Sequence, residues 1–346
     1  IGSRFRAIAA RLAPLALGMC LAEGWSGVGI RTMNGAQSLI HTLVNGGVDT
    51  CFMNPGTSEM HFVLALDDVP QMRSVLCLFE GVATGCADGY ARMTGKPAAT
   101  LLHLGPGFAN GIANLHNAMK AHSPILNIVG DHATQHLQYD APLTSDIEGI
   151  ARPVSHWLRK TSGVDRVAAD AARAVAAART PPGQIATLLV PADFTWSESG
   201  KPAPAEEVPG PKAVPNERVV RAAEAITSGG PATVILAGNH VVGDDRMTGR
   251  LARISAATGA RVFAPKFVSR AARGAGRPVI PNLPYPVDPA VELLKDTRHV
   301  VLVGAKEPVG FFAYPNKPSL LCPPDAEILT LAVQGEAIGD ALEALA

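Results

Sequence analysis

Short apolar runs alternate with amphipathic stretches along the chain from residue 34 onward. Asn34 and Gln37 have the spacing of a capping box, and Gly46 and Gly47 are expected to end the helix that it begins. Strands are then predicted at 48–53, 74–79, 98–103, 124–129 and 185–190, and helices at 59–66, 81–93, 108–121 and 164–179. Because strand and helix alternate with short connections, the pattern indicates a parallel sheet covered by helices on both faces.

A second region of the same kind follows a proline-rich stretch. Residues 201–215 contain five prolines and almost no large apolar residue, which is typical of a linker. Beyond it, helices are predicted at 219–226 and 249–258, and strands at 232–237, 261–264, 299–303 and 327–331. The expected fold class is α/β, with two doubly wound parallel-sheet domains at 33–200 and 216–346.

Residues 1–32 are expected to be a leader or an upstream extension. The apolar run 12–22 follows three arginines and superficially resembles a signal peptide, but Pro14 and Gly18 interrupt it. The run is also too short to span a bilayer. Met33 stands directly before the first well-patterned helix, so we predict that it is the natural start.

Composition and charge exclude several classes of partner. Hydrophobic residues make up 47% of the chain and charged residues 17%, which suits a well-packed α/β protein. Thirty basic and thirty acidic residues give no net charge, so neither nucleic acid nor a membrane is expected as a partner. The five cysteines form no CxxC pair and are expected to be reduced, which favours a cytoplasmic location.

Three predicted strand-to-helix turns carry most of the unusual residues. These turns are Asn54-Pro55-Gly56-Thr57, Phe79-Glu80-Gly81 and His103-Leu104-Gly105-Pro106-Gly107. In a parallel sheet all three turns lie along the carboxyl edge, where ligands bind in this class of fold. The sequence therefore predicts a binding site at this edge.

Glu80 follows an apolar run and precedes small residues, which is a poor setting for a surface charge. Burial disfavours the ionised form of a carboxyl group, and a protonated or proton-sharing glutamate suits a general acid near neutral pH. The alternative is that Glu80 only caps the N-terminus of its own helix. The local pattern does not decide between these two roles.

Together with Ala87-Asp88-Gly89-Tyr90-Ala91, these motifs resemble the pyrimidine-binding domain of the thiamine-diphosphate-dependent 2-oxo-acid enzymes, which include acetolactate synthase and benzoylformate decarboxylase. The resemblance covers about 33–345 and is strongest at 50–130. It implies thiamine diphosphate as the cofactor and assigns Glu80 to the glutamate that hydrogen-bonds the aminopyrimidine ring and activates the cofactor. It also implies a homodimer or homotetramer, because the family binds its cofactor between subunits.

The resemblance assigns further positions one by one. His103 matches a histidine that benzoylformate decarboxylase-like members use for proton transfer, whereas the synthases usually have Thr-Ser-Gly-Pro-Gly here; the alternative is a core histidine bonded to backbone. Thr57 matches a serine in their Asn-Pro-Gly-Ser turn. The other positions expected to line the cofactor pocket are Pro55, Gly56, Pro106 and Asn110. Asp131 departs from the glutamine often found at its position, so substrate contacts there are left open.

Metal and flavin sites receive little support from the sequence. His116, His122, His132 and His136 have differing contexts and no tetrahedral ligand spacing, so no metal site is expected at them. In the family, Mg²⁺ anchors the diphosphate in a C-terminal domain, and that domain is expected to be absent here. FAD binds the second domain of some members, but no residue pattern demands it, and an empty scaffold is the prediction.

The function expected from the resemblance is decarboxylation or carboligation of a small-molecule 2-oxo acid. An acetolactate synthase-like lyase or transferase is the first expectation, and a truncated chain would be inactive alone. A benzoylformate decarboxylase-like activity is the alternative, supported by His103 and Thr57. A non-catalytic partner subunit or pseudoenzyme is a third possibility, in which Glu80 would act on a cofactor held by a complete chain.

Overall fold

The computed structural model describes residues 32–346, so all but Thr32 of the predicted leader lies outside the described residues. The six strands of the first sheet are β2 Thr50–Asn54, β3 Arg73–Leu76, β4 Ala98–Leu102, β5 Ile125–Asp131, β6 Trp157–Lys160 and β7 Ile185–Pro191. They are all parallel and lie in the order β3-β2-β4-β5-β7-β6. The central strands β4 and β5 are buried along their whole length, which explains their continuous apolar sequence.

Helices cover this sheet and connect its strands. They are α1 Gly35–Asn45, α2 Met60–Asp68, α3 Glu80–Thr94, α4 Leu104–Ala121, α5 Ile147–Ala151, α6 Val167–Arg179 and α7 Ala192–Trp196. The predicted capping box is present, since Asn34 and Gln37 exchange hydrogen bonds between side chain and backbone. A small antiparallel pair, β1 Met33–Asn34 and β8 Glu198–Gly200, joins the two ends of this segment.

The second sheet has four parallel strands in the order β10-β9-β11-β12. The strands are β9 Thr233–Ala237, β10 Arg261–Phe263, β11 His299–Val303 and β12 Glu327–Ala332. The helices are α8 Asn216–Gly229, α9 Asn239–Val242, α10 Asp245–Thr258, α11 Val287–Leu294 and α12 Ile338–Leu345. The α/β class with parallel sheets is therefore confirmed, whereas the proposed domain boundaries stay a prediction.

Several elements differ from the sequence expectation. Strand β6, helix α11 and helix α12 were not predicted, because they have only 4, 8 and 8 residues, which is too short for a periodic pattern to stand out. Helix α4 begins at Leu104 rather than at residue 108, so the Gly-Pro-Gly turn forms its first turn. No helix within residues 32–346 is long and apolar enough to cross a membrane.

Candidate active site at the carboxyl edge of the first sheet

Glu80 begins helix α3 and is buried, with 8% of its surface exposed. Its Oε2 accepts a hydrogen bond of 2.9 Å from the Asn110 amide, which lies two turns into α4. The side chain is therefore held by the neighbouring helix and not by the N–H groups of its own helix. Its other oxygen, Oε1, faces Gly107, where a Cβ atom would come within 3.0 Å. Glycine at position 107 therefore lets the first turn of α4 pass close to the oxygen that Asn110 does not use.

His103 directly follows β4 and pairs with a second buried glutamate. The His103 Nδ1 lies 2.8 Å from Glu59 Oε2, and Glu59 is completely buried while 24% of the histidine side chain is exposed. The hydrogen bond to Glu59 raises the pKa of His103 above its usual value, and the negative charges of Glu59 and Glu80 act in the same direction against burial. The alternative of a histidine bonded only to backbone is not what the structure shows.

Glu59 is the functional candidate that the sequence analysis missed. Its Oε2 also accepts the Gly56 N–H at 2.8 Å, so one carboxylate oxygen holds both the turn after β2 and the histidine after β4. Its Oε1 lies against Gly130 of β5, where any Cβ atom would overlap with it. That oxygen is buried and has no hydrogen-bond partner among the described residues. A glycine inside a strand that is buried along its whole length was the available signal.

The packing of His103 explains why position 56 is a glycine. A Cβ atom there would overlap with the imidazole ring of His103, so only glycine lets the ring lie on the turn. The flanking Pro55 is half-buried, whereas Thr57 is exposed and its hydroxyl group makes no hydrogen bond within the described residues. Pro106 is exposed on the first turn of α4. The turn residues thus lie at one edge, but the contacts directly join only part of the predicted set.

The structure joins the predicted residues in two hydrogen-bonded pairs at this edge. Glu80 pairs with Asn110, and His103 pairs with the unpredicted Glu59. Gly107 connects the two pairs, because the position of its missing Cβ atom lies 3.0 Å from Glu80 Oε1 and 3.2 Å from His103 Cβ.

Comparison with known proteins bears on this geometry. Residues 33–152 match the family described as thiamine pyrophosphate enzyme, N-terminal TPP binding domain. This part of the chain is therefore similar to the N-terminal domain of that family. The resemblance drawn from the motifs is confirmed.

Several known proteins are similar to this chain, over different shares of its length. A Mycobacterium tuberculosis protein, provisionally named acetolactate synthase large subunit IlvX, is 52% identical over 91% of this chain and 60% of its own length. Benzoylformate decarboxylase of Pseudomonas aeruginosa is 34% identical over 46% of this chain and 29% of its own length. The solved 4-hydroxybenzoylformate decarboxylase of Rhodococcus jostii RHA1 has a TM-score of 0.78 at 22% identity, covering 90% of this chain and 61% of the solved chain. The first and the third of these proteins match about 90% of this chain. The chain spans only about 60% of the length of each of them.

The search for a metal centre covers residues 32–346, the part of the chain that the structure describes. No group of three or more histidine, cysteine, aspartate or glutamate side chains within residues 32–346 is arranged to hold a metal ion. The four histidines singled out from the sequence do not form a cluster with acidic ligands. Magnesium therefore has no assigned ligand here.

The carboxyl edge of the second sheet is occupied by the chain's own groups. A Cβ atom on Gly238 would overlap with the Gly304 carbonyl, so the ends of β9 and β11 approach closely. Asp244 caps α10 by accepting from the N–H groups of Arg246 and Met247.

Replacing Glu59 by glutamine is expected to lower the pKa of His103. The variant removes the carboxylate charge and turns the charge-assisted hydrogen bond into a neutral one, so the imidazolium form loses its main stabilisation. Histidine chemical shifts followed by NMR over pH 5–9 measure this change. The control is Glu148→Gln, which changes an exposed glutamate on α5. An unchanged titration of His103 in Glu59→Gln would contradict the assignment.

Proposed function

We propose that the chain forms the cofactor-activating part of a thiamine-diphosphate-dependent enzyme that decarboxylates a 2-oxo acid. The observation that carries the proposal is the buried Glu80 carboxyl group, whose Oε2 is held by Asn110 and whose Oε1 has no hydrogen-bond partner among the described residues, in the segment that matches the thiamine pyrophosphate enzyme family. When bound, thiamine diphosphate supplies the nucleophile and the electron sink for decarboxylation. The chain supplies orientation and proton control.

Glu80 is the candidate donor of the proton that activates the cofactor. Because Oε2 accepts from the Asn110 amide, the proton of a neutral carboxyl group belongs on Oε1, which has no hydrogen-bond partner among the described residues. From there it can be donated to a ring nitrogen of the aminopyrimidine. The carboxyl group is shielded from water, so its exchange partner is the bound ring and not bulk solvent.

His103 is the candidate donor of the proton that is needed after decarboxylation. Its Nδ1–H donates to the Glu59 carboxylate, and its partly exposed ring can donate a proton from Nε2 towards the edge of the sheet. A proton held at that place favours the return of a proton to the decarboxylated carbon and release of an aldehyde, which is the benzoylformate decarboxylase-like alternative. The acetolactate synthase-like outcome has its own support in the name of the relative that is 52% identical over 91% of this chain.

Product analysis distinguishes the decarboxylase-like from the synthase-like activity. Cofactor binding tests the cofactor activation that both activities require. We expect thiamine diphosphate, or its aminopyrimidine fragment, to bind this chain and to shift the NMR signals around Glu80. Benzaldehyde and CO₂ from benzoylformate would support the decarboxylase, and 2-acetolactate from pyruvate would support the synthase. If neither the cofactor nor the fragment binds, the fold stands and the proposed function fails.

A homodimer or homotetramer remains part of the proposal. Apolar side chains next to Glu80 are exposed, including Leu78 at 91% and Val82 at 51%, and a patch of this kind marks an interaction surface. The partner would cover the Glu80 site, consistent with a cofactor between subunits. Sedimentation velocity on this chain tests the association. A cytoplasmic location is likewise a proposal, and cell fractionation tests it.

A further inference from the structure

Helix α3, which begins at Glu80, has no side-chain cap at its N-terminus. Phe79 occupies the N-cap position, and its side chain makes no hydrogen bond to the first turn of the helix. The groups at a helix end have fewer intrahelical hydrogen bonds than those in its middle, so an uncapped first turn is held less firmly. The position of Glu80 therefore depends on the elements that pack against this turn.

Helix α4 packs against this first turn at close range. A Cβ atom on Gly81 would come within 3.2 Å of the Asn110 carbonyl oxygen, and one on Gly111 would lie 2.7 Å from the Thr84 methyl group. Both glycines are buried, one on each helix. Because neither carries a side chain, the two backbones can approach each other closely. Short polar side chains can therefore reach from one helix to the other.

Two asparagines of α4 reach across to the first turn of α3. Asn110 donates to the Glu80 carboxylate at 2.9 Å, and Asn114 donates to the backbone carbonyl of Gly81 at 2.7 Å. The two asparagines are four positions apart and lie on the same face of α4. Because their side chains are short, a shift of α3 by about 1 Å would lengthen both hydrogen bonds beyond the usual upper limit of about 3.2 Å. The two bonds are therefore expected to form and to weaken together.

A third polar side chain crosses the same contact in the other direction. The Thr84 hydroxyl of α3 is buried and lies 3.1 Å from the Gly111 carbonyl of α4. The carbonyls of Glu80 and Gly81 in its own helix are each 3.2 Å away. A hydroxyl group has one proton, which it can donate across the contact or along the helix. The hydroxyl thus links the first turn of α3 to the backbone of α4.

We propose that Asn114 and Thr84 are positioning residues for Glu80. By holding the first turn of α3 against α4, they keep the Glu80 carboxylate within reach of the Asn110 amide. Glu80 Oε2 then stays on Asn110, and Oε1 is left for the cofactor. The assignment of Oε1 to the cofactor rests on the proposed function, whereas the position of the Glu80 side chain rests on the contacts between the helices.

The first test uses the protein without cofactor and follows hydrogen exchange of the Asn110 side-chain amide by NMR. Asn114→Leu keeps the approximate volume but removes the donor, and it should speed this exchange about fivefold, the effect of one net hydrogen bond. The matched control is Asn117→Leu, which changes an exposed asparagine on the same helix and should leave the exchange unchanged. Exchange in Asn114→Leu equal to that of the wild type, or equally fast in both variants, would overturn the inference.

Two variants at position 84 give an independent measurement of the same amide exchange. Thr84→Val keeps the buried shape but loses the hydroxyl group, so it should also speed exchange of the Asn110 amide. Thr84→Ser keeps the hydroxyl group and should remain close to the wild type. Equal exchange in these two variants would show that the hydroxyl group does not position Glu80. This comparison remains decisive if Asn114→Leu does not fold.

A double-mutant cycle with bound thiamine diphosphate separates positioning from a general loss of structure. Asn114→Leu should slow exchange of the cofactor's C2 proton and lower kcat, each about fivefold, without changing KM. In an Asn110→Leu background it should add little, because its effect passes through the Asn110 amide. Additive effects in the double variant would reject the positioning role. If the cofactor does not bind while the Asn110 amide responds as expected, the proposed function fails and the positioning role stands.

Discussion

Replacing Glu80 by glutamine is expected to lower turnover of a 2-oxo acid by roughly 10²–10⁴-fold, the usual contribution of a positioned general acid. The amide keeps the volume and can still accept from Asn110, but it cannot transfer a proton from the oxygen that faces Gly107. The same change should slow exchange of the cofactor's C2 proton with deuterium, which NMR follows directly. Proton exchange is the sharper readout because it reports the activation step before any substrate binds.

The control for this variant is again Glu148→Gln, which changes an exposed glutamate on helix α5. Thermal unfolding should show both variants folded, because the hydrogen bond from Asn110 is retained in Glu80→Gln. Normal turnover and normal C2 exchange in Glu80→Gln would reject the role of Glu80. Loss of turnover with normal exchange would instead assign the residue to a later step.

The sequence was sufficient to locate Glu80, because its environment is local. An apolar strand before it and small residues after it predict burial, and the structure places it under the Asn110 amide. The sequence did not predict Glu59, because that residue looks like an ordinary glutamate in the first turn of a helix. Its burial depends on Gly130, which is distant along the chain and leaves the space that the carboxylate fills. The catalytic role of Glu80 and His103 stays a prediction until it is tested.

The same reason explains why the sequence did not predict the ion pair of Asp131 and Lys160, in which Lys160 Nζ lies 2.6 Å from Asp131 Oδ2. Asp131 and Lys160 come together only because β7 forms between β5 and β6, and β6 was not predicted from its exposed and charged residues. Most strands could be predicted one by one from the sequence. Their order in the sheet could not, because it follows from packing. The chemistry at a carboxyl edge therefore depends on the topology more than on any single motif.

The pH dependence of stability should be governed in part by His122, which ends helix α4 in a left-handed conformation at φ 57°. Burial is the main reason that its pKa falls from 6.5 to about 4, and nearby positive groups add to the effect. Those groups come from several elements that face it: His240, His156, Lys306 and Lys120. The residues that line the same cleft include the charged side chains Arg92, Arg179, Asp244, Arg270, Glu336 and Asp340.

We expect acid to destabilise the chain through this group between about pH 6.5 and pH 4. The folded pKa lies below the unfolded value, so the neutral form stabilises the fold above pH 6.5, and that contribution is lost as the pH falls through this window. The shift corresponds to roughly 3 kcal/mol, which screening by solvent at a half-buried side chain reduces to about 1–2 kcal/mol. This loss should be absent in a variant without the imidazole.

His122→Asn is the suitable variant because asparagine tolerates the left-handed conformation that most residues avoid. The free energy of unfolding, from urea titrations at pH 7, pH 5 and pH 4, should decline less steeply in this variant than in the wild-type chain. His116→Asn, at an exposed position of the same helix, serves as the control and should follow the wild type. Parallel declines in all three proteins would mean that the acid sensitivity arises from other groups in the cleft.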